Sequence, residues 1–247
     1  MTLLIPIIAI GCAAPAAYQA GSNRVEVRAA SASLKQQGAA AFEQYKRKVP
    51  VSRNSGARAR VFRVAKRLRP SVNLPGSRWE FEVFEDDSAN AFALPGGKIG
   101  INTGLLKIAS TDSQLAAVVA HEMAHVTSNH AQARVQRSQS IAAGSAILGA
   151  VLGGEQNSRQ VGQLAQQGGN LLFGLPFSRE QELEADRIGT IFMAKAGYDP
   201  EAAVTLWQRM GARQQSSIPE MLSTHPMSET RIRKLREFLP EARRFQR

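Results

Sequence analysis

The chain has 247 residues, enough for one large domain with appendages, and its 43% hydrophobic content is ordinary for a globular protein. A formal charge of +11 makes the surface strongly basic and leaves anionic membranes, nucleic acid or plain solvent as its counterparts. One cysteine, Cys12, excludes an intramolecular disulfide.

Residues 3–10, "LLIPIIAI", form a short apolar run that leads into Gly11-Cys12 and the small residues "AAPAA". That length reads as a secretory signal, since a membrane-spanning helix needs about 20 apolar residues. The small residue before Cys12 resembles a bacterial lipobox, which would make residues 1–11 a signal peptide and Cys12 a lipidated N-terminus; a buried apolar segment with an incidental cysteine is the other reading. No Lys or Arg precedes the run, which departs from that pattern. Residues 12–32 are small and polar and read as a linker.

From Arg24 to Arg69 thirteen Lys/Arg face only Glu26 and Glu43, a surplus that equals the charge of the whole chain. Within this basic leader, 33–49 is a helix stopped before Pro50, and 50–56 is a loop. A second helix places Val61, Val64, Ala65 and Leu68 on one face before Pro70. The helices of 33–70 begin a domain that continues to 247.

"WEFEVF", 79–84, alternates as a half-buried strand. "NAFALPGGKIGIN", 90–102, reads as two strands around a glycine turn, so a small antiparallel sheet is expected. Thr111-Asp112 supplies an N-cap, and nothing breaks a helix from Ser113 to about Gln136. Residues 139–154 are apolar but short and interrupted by glycine, which suits a buried or interfacial helix. Residues 155–170 are rich in Gln and Gly and read as a mobile stretch. Helices follow at 178–196 and after Asp199-Pro200, then a His225-Pro226 loop and a basic C-terminal helix. The fold class is α+β, mostly helical, with one small sheet.

The unbroken helix carries "HEMAH", 121–125. Residues four apart share a helical face, so His121 and His125 can grip one metal ion, and imidazole suits zinc. Glu122 lies roughly 100° around the helix, placed to act on water at an open coordination position and not as a ligand. Apolar flanks, "LAAVVA" before and "MAHV" within and after, bury the motif. His130 lies five residues after His125, the wrong spacing for a third metzincin histidine, and reads as a surface residue or one behind the ligands.

A catalytic zinc needs a third protein ligand. In "SREQELEADRIG", 178–189, Glu182 and Asp186 share a face while Glu184 points away. One carboxylate can bind the metal and the other can hold a ligand histidine by its second N–H. A salt-bridged exposed helix fits the same spacing.

"HEMAH", "FSREQELEADRIG" and "THPMSETRI", in this order, resemble the zinc metallopeptidase family that includes HtpX and the CAAX prenyl proteases, a gluzincin group. The likeness covers about Trp79 to Arg236, the catalytic core, and is nearest to the soluble periplasmic lipoprotein members of the BepA and LoiP kind. It implies a zincin-type fold, one Zn2+ held by His121, His125 and Glu182, Glu122 as general base, and Asp186 orienting a ligand histidine. It further implies that His225 approaches the site, either to stabilise the oxyanion or to bind zinc and block it, with Arg231 bracing. Asn90 and Ala91 would lie on the strand that holds an extended substrate. The implied activity is endopeptidase cleavage of extended or misfolded polypeptides in outer-membrane protein quality control. The implied address is the periplasm, with the chain anchored to the outer membrane. A non-enzymatic assembly factor or chaperone with a structural zinc is the rival reading. An anionic membrane surface, met through Cys12 and the basic residues 24–69, and envelope assembly machinery are the expected partners. Nucleic acid is not expected, since no recognised motif for it occurs.

Overall fold

The computed structural model describes residues 17–151, 176–213 and 220–246. Helix α1 (Ala32–Lys48) starts where the Ser31 hydroxyl accepts from Leu34 N–H, and Val49 closes it ahead of Pro50. Helix α2 (Ser55–Leu68) is capped by Asn54 and buries Val61, Val64, Ala65 and Leu68, the face read from the sequence. Its arginines bind the domain itself. Arg60 and Arg63 reach Asp112 at 3.1 and 2.9 Å, and Arg58 reaches Glu82 at 2.7 Å. Arg67 donates to the carbonyls of Ala196 and Gly197 at 2.6 and 2.7 Å.

Strands β1 (Glu80–Phe84), β2 (Ala91–Leu94) and β3 (Lys98–Asn102) form one sheet in the order β1-β3-β2. The β2–β3 hairpin turns on Pro95-Gly96-Gly97, where both glycines take φ of +85°, a conformation L side chains rarely adopt. The pairing of β1 with β3 is parallel, so the sheet is mixed and not wholly antiparallel. Alternation reports which side chains face the core, not strand direction. Residues 85–90 cross to the far side of β3 before β2 begins, which leaves β1 aligned with β3. A second apolar cluster of Leu34, Ala41, Phe42, Phe84 and Leu94 fastens α1 to this sheet. Full burial of Phe42 contributes about 1.5–3 kcal/mol.

After the short α3 (Thr103–Leu106), helix α4 (Asp112–Thr127) opens with a capping box in which Thr111 and Gln114 satisfy each other's backbone N–H. Every residue from Leu115 to His125 is buried, so α4 is the central element, covered on all sides. It ends sooner than the sequence predicts. Asn129 takes a left-handed φ of +54° and starts a separate helix, α5 (His130–Val151), where one continuous helix to Gln136 was expected. Asn is among the few residues that enter this region readily, so neither Gly nor Pro is needed to break the run.

Helix α6 (Arg179–Lys195) begins with a second capping box, Ser178 with Gln181. It packs along α4, and Gly189 sets how closely: a Cβ there would lie 3.1 Å from the backbone nitrogen of His121. Helix α7 (Glu201–Arg213) follows a turn in which Asp199 Oδ1 accepts from Glu201 N–H. The short α8 (Glu220–Thr224) and the basic α9 (Glu229–Arg243) complete the chain.

Residues 17–31, read as linker, lie on the domain, with Ala17 and Tyr18 buried in the main core. Tyr18 donates to Glu241 at 2.5 Å, and Arg28 N–H donates to the Thr127 carbonyl at 2.7 Å. The expected signal peptide at 1–11, Cys12 and the 155–170 stretch lie outside the described residues. Among the described residues no helix is long and apolar enough to cross a membrane.

Candidate active site

Helical spacing on α4 brings the Nε2 atoms of His121 and His125 to 3.0 Å from each other. Helix α6 presents Glu182 to both: Oε2 lies 3.4 Å from His121 Nε2 and Oε1 lies 3.4 Å from His125 Nε2. His225, in the turn between α8 and α9, adds Nδ1 at 2.9 Å from Glu182 Oε1 and 3.3 Å from His121 Nε2. One donor atom from each of these four buried residues falls within 4.8 Å of the others. Three nitrogens and one carboxylate oxygen are the donor set of a four-coordinate zinc site. His225 supplies the fourth donor of this set, where a catalytic zinc site would take three from the protein.

Charge and hydrogen bonding agree with a cation at this point. Glu122 is fully buried, and neither of its oxygens accepts a hydrogen bond among the described residues. His225 Nε2 lies 3.3 Å from its Oε1. Burial raises the Glu122 pKa, which makes its carboxylate a stronger proton acceptor than an exposed one. Burial opposes a charge on His121, yet Asp186 and Glu182 outweigh it and hold its pKa up at about 9. Burial keeps His125 neutral, well below the usual imidazole range. A proton on His121 and a dication among the donors answer the same local excess of carboxylate, so the residues fit a zinc ion.

The residues behind the donors are equally specific. His121 Nδ1 meets Asp186 Oδ1 at 3.1 Å. Arg231, at the first turn of α9, holds Asp186 through Nε and Nη2, each at 2.9 Å. Its Nη1 reaches Glu182 Oε2 at 2.6 Å and donates to the Pro226 carbonyl at 2.9 Å. Glu182 Oε2 accepts no hydrogen bond among the described residues, yet at that separation from a guanidinium it is ion-paired. Burial pushes the Glu182 carboxyl up, and His225 and Arg231 more than reverse this, so it stays ionised and able to bind a metal.

All three sequence motifs therefore converge, the third through His225 and Arg231. Residues 55–239 match the profile of Peptidase family M48.

The chain belongs to peptidase family M48.

Within M48, its relatives include the fission yeast (Schizosaccharomyces pombe) "Mitochondrial metalloendopeptidase OMA1", 40% identical over 184 residues, covering 74% of this chain and 53% of that protein. The Escherichia coli K12 "Beta-barrel assembly-enhancing protease" is 36% identical over 174 residues, covering 67% of this chain and 35% of the relative. The "Mitochondrial metalloendopeptidase OMA1" of Arabidopsis thaliana is 36% identical over 163 residues, 66% of this chain and 32% of its own. The chain thus spans about half or less of the length of these M48 relatives.

Asn90 and Ala91 lie where β2 begins, both buried, with Ala91 paired to Ile101. Strand β2 is an outer strand of the sheet, and the carbonyl of Ala89 accepts from Met221 N–H in the helix that leads to His225. Three further residues close around the donors without a sequence signal that named them. Phe177 stacks on His125 with centroids 3.9 Å apart, and Trp207 meets His121 edge-on at 5.3 Å. Arg134 is buried with its guanidinium 4.2 Å from the Phe177 ring, and burial lowers its pKa to about 10. Glu184, read as pointing away from Glu182, bonds His130 at 2.9 Å. His130 is buried against His125, behind the donor atoms and not at the surface.

Proposed function

We propose that this M48 chain is a zinc-dependent endopeptidase that cleaves extended or misfolded polypeptides at the bacterial cell envelope. The observation that carries this is the convergence of His121, His125, Glu182 and His225 on one point beside the unsatisfied carboxylate of Glu122. A zinc ion held there supplies Lewis acidity, polarising a scissile carbonyl and acidifying water. Glu122 takes the water proton and passes it to the leaving amine, for which its raised pKa suits it. Asp186 Oδ1, 3.1 Å from His121 Nδ1, favours a proton on that nitrogen, which leaves the Nε2 lone pair toward the donors. Arg231 holds Asp186 and Glu182 in register and keeps both carboxylates ionised. The outer edge of β2 from Ala91 offers main-chain groups to an extended peptide.

His225 supports a self-inhibited resting state, because its Nδ1 sits among the donors. A structural-zinc assembly factor would show the same closed set, so the two differ in whether the closure opens.

Kinship with a protein named a beta-barrel assembly-enhancing protease supports outer-membrane protein quality control in the periplasm of a Gram-negative bacterium. The mitochondrial relatives share the domain in another compartment. Within the lipoprotein reading, of the BepA and LoiP kind, Cys12 carries the anchor. The basic leader then contributes less to a membrane surface than its charge suggests, since Arg58, Arg60, Arg63 and Arg67 bind groups of the domain. Exposed Arg47, Lys48, Arg53, Lys66 and Arg69 remain for an anionic surface.

The test is metal analysis of the purified protein together with cleavage of unfolded casein. Glu122→Gln should keep zinc and lower cleavage by about 10²–10⁴-fold. Undiminished cleavage removes Glu122 from the chemistry.

A further inference from the structure

His125 and His121 are held from behind in different ways. His121 meets a carboxylate directly, but His125 Nδ1 meets another imidazole, His130 Nδ1, at 2.8 Å. The far nitrogen of His130, Nε2, lies 2.9 Å from Glu184 Oε2. His130 is 2% exposed. Glu184 is fixed in turn by the Ala17 N–H at 2.5 Å and by Arg28 Nη2 at 3.6 Å.

With a neutral His130, this chain of contacts has one consistent proton arrangement. An ionised Glu184 only accepts, so His130 carries its proton on Nε2. Its Nδ1 is then an acceptor, and the proton between the two rings belongs to His125 Nδ1. That leaves the His125 Nε2 lone pair bare, facing Glu182 and His121. The other tautomer of His125 would set two lone pairs against each other at 2.8 Å in a buried place. Two features of the fold build the relay. Asn129 ends α4 so that His130 can turn back on His125, and Glu184 uses the face of α6 that Glu182 does not.

We propose that His130 and Glu184 are positioning residues that lock His125 in its metal-binding tautomer, with the segment 17–28 closing the outer end of the relay. The inference rests on the zinc reading of the site, and the experiment separates the two.

The test uses the full chain. Zinc affinity is measured by competition with a chelating indicator, and the His125 tautomer of the zinc-free protein by long-range ¹⁵N–¹H correlation. His130→Leu should weaken zinc binding by about 10–100-fold and mix the His125 tautomers. His130→Asn keeps an amide oxygen near the Nδ1 position and should restore most of the affinity, which a merely space-filling role would not do. Glu184→Gln against Glu184→Leu reads the relay from its far end if His130→Leu fails to fold: Gln, which keeps an acceptor, should bind zinc more tightly than Leu. Unchanged affinity and an unchanged tautomer on losing His130, or Asn and Gln variants as impaired as their Leu counterparts, overturn the proposal. Wild-type protein that takes up no zinc overturns the metal reading and the relay with it.

Discussion

Arg231 grips Asp186 with two parallel N–H···O bonds, each 2.9 Å, and both groups are almost wholly buried. The same guanidinium is 2.6 Å from Glu182, so one residue of α9 neutralises two carboxylates of α6. The Ser228 hydroxyl accepts from Arg231 N–H and starts α9 at this residue, which fixes where the side chain enters.

Removing that cation should be costly. Arg231→Met leaves Glu182 and Asp186 buried without their counter-charge, a loss of about 3–5 kcal/mol in unfolding free energy. Denaturant melts of the zinc-free protein check this. Arg231→Lys should recover only part, since an ammonium cannot make the paired contact.

The position of His225 predicts a gain from a deletion. His225→Ala should retain zinc through His121, His125 and Glu182 and raise casein cleavage on the order of tenfold, the effect of about 1.4 kcal/mol removed from a closed state. Zinc content and kcat measured together decide it. A fall in kcat with zinc retained would make His225 a donor to the oxyanion instead.

Gly189 couples packing to the metal site. A side chain there meets backbone atoms of Ala120 and His121 at 3.1–3.2 Å, and the centre of α4 has no room to move. Gly189→Val should cost about 1–3 kcal/mol and weaken zinc binding by parting Glu182 from the histidines. Thermal melts with and without zinc measure both effects.

Acid should loosen the N-terminal segment before the domain. The Tyr18 hydroxyl, the Gly21 N–H and Arg244 hold the Glu241 carboxyl down at about 2 from its ordinary 4.5. A lowered acid pKa stabilises the fold above the ordinary value, and that contribution fades as pH drops from 4.5 toward 2. Tyr18 acts at the other end: burial and Glu241 raise its pKa from 10 to about 12, so its share is complete below pH 10 and lost as pH rises through 12. Amide exchange of residues 17–28 across pH should show protection falling in both windows, and Tyr18→Phe should flatten the acid one.

What could be read in advance was what helical or strand periodicity encodes. The shared face of His121 and His125, the pairing of Glu182 with Asp186, and the buried stripe of α2 all follow from local spacing. The split at Asn129 was hidden because a left-handed asparagine leaves no composition signal. The parallel partner of β1 was hidden because alternation carries no direction. His130 with Glu184 is a tertiary match across 54 positions, and Glu184 looked outward-facing only because Glu182 was taken as the reference for the inward face of α6. The segment 17–31 was misjudged for a related reason: small polar residues look like a tether until their backbone groups find partners such as Glu184 and Thr127.

The donors stand at positions 121, 125, 182 and 225, and Arg231 follows them. Synthesis must therefore have passed Arg231 before the four donors and the guanidinium that braces them can assemble. A growing molecule that has not yet reached Glu182 holds two histidines on one helix and lacks both the carboxylate and the third imidazole of the donor set.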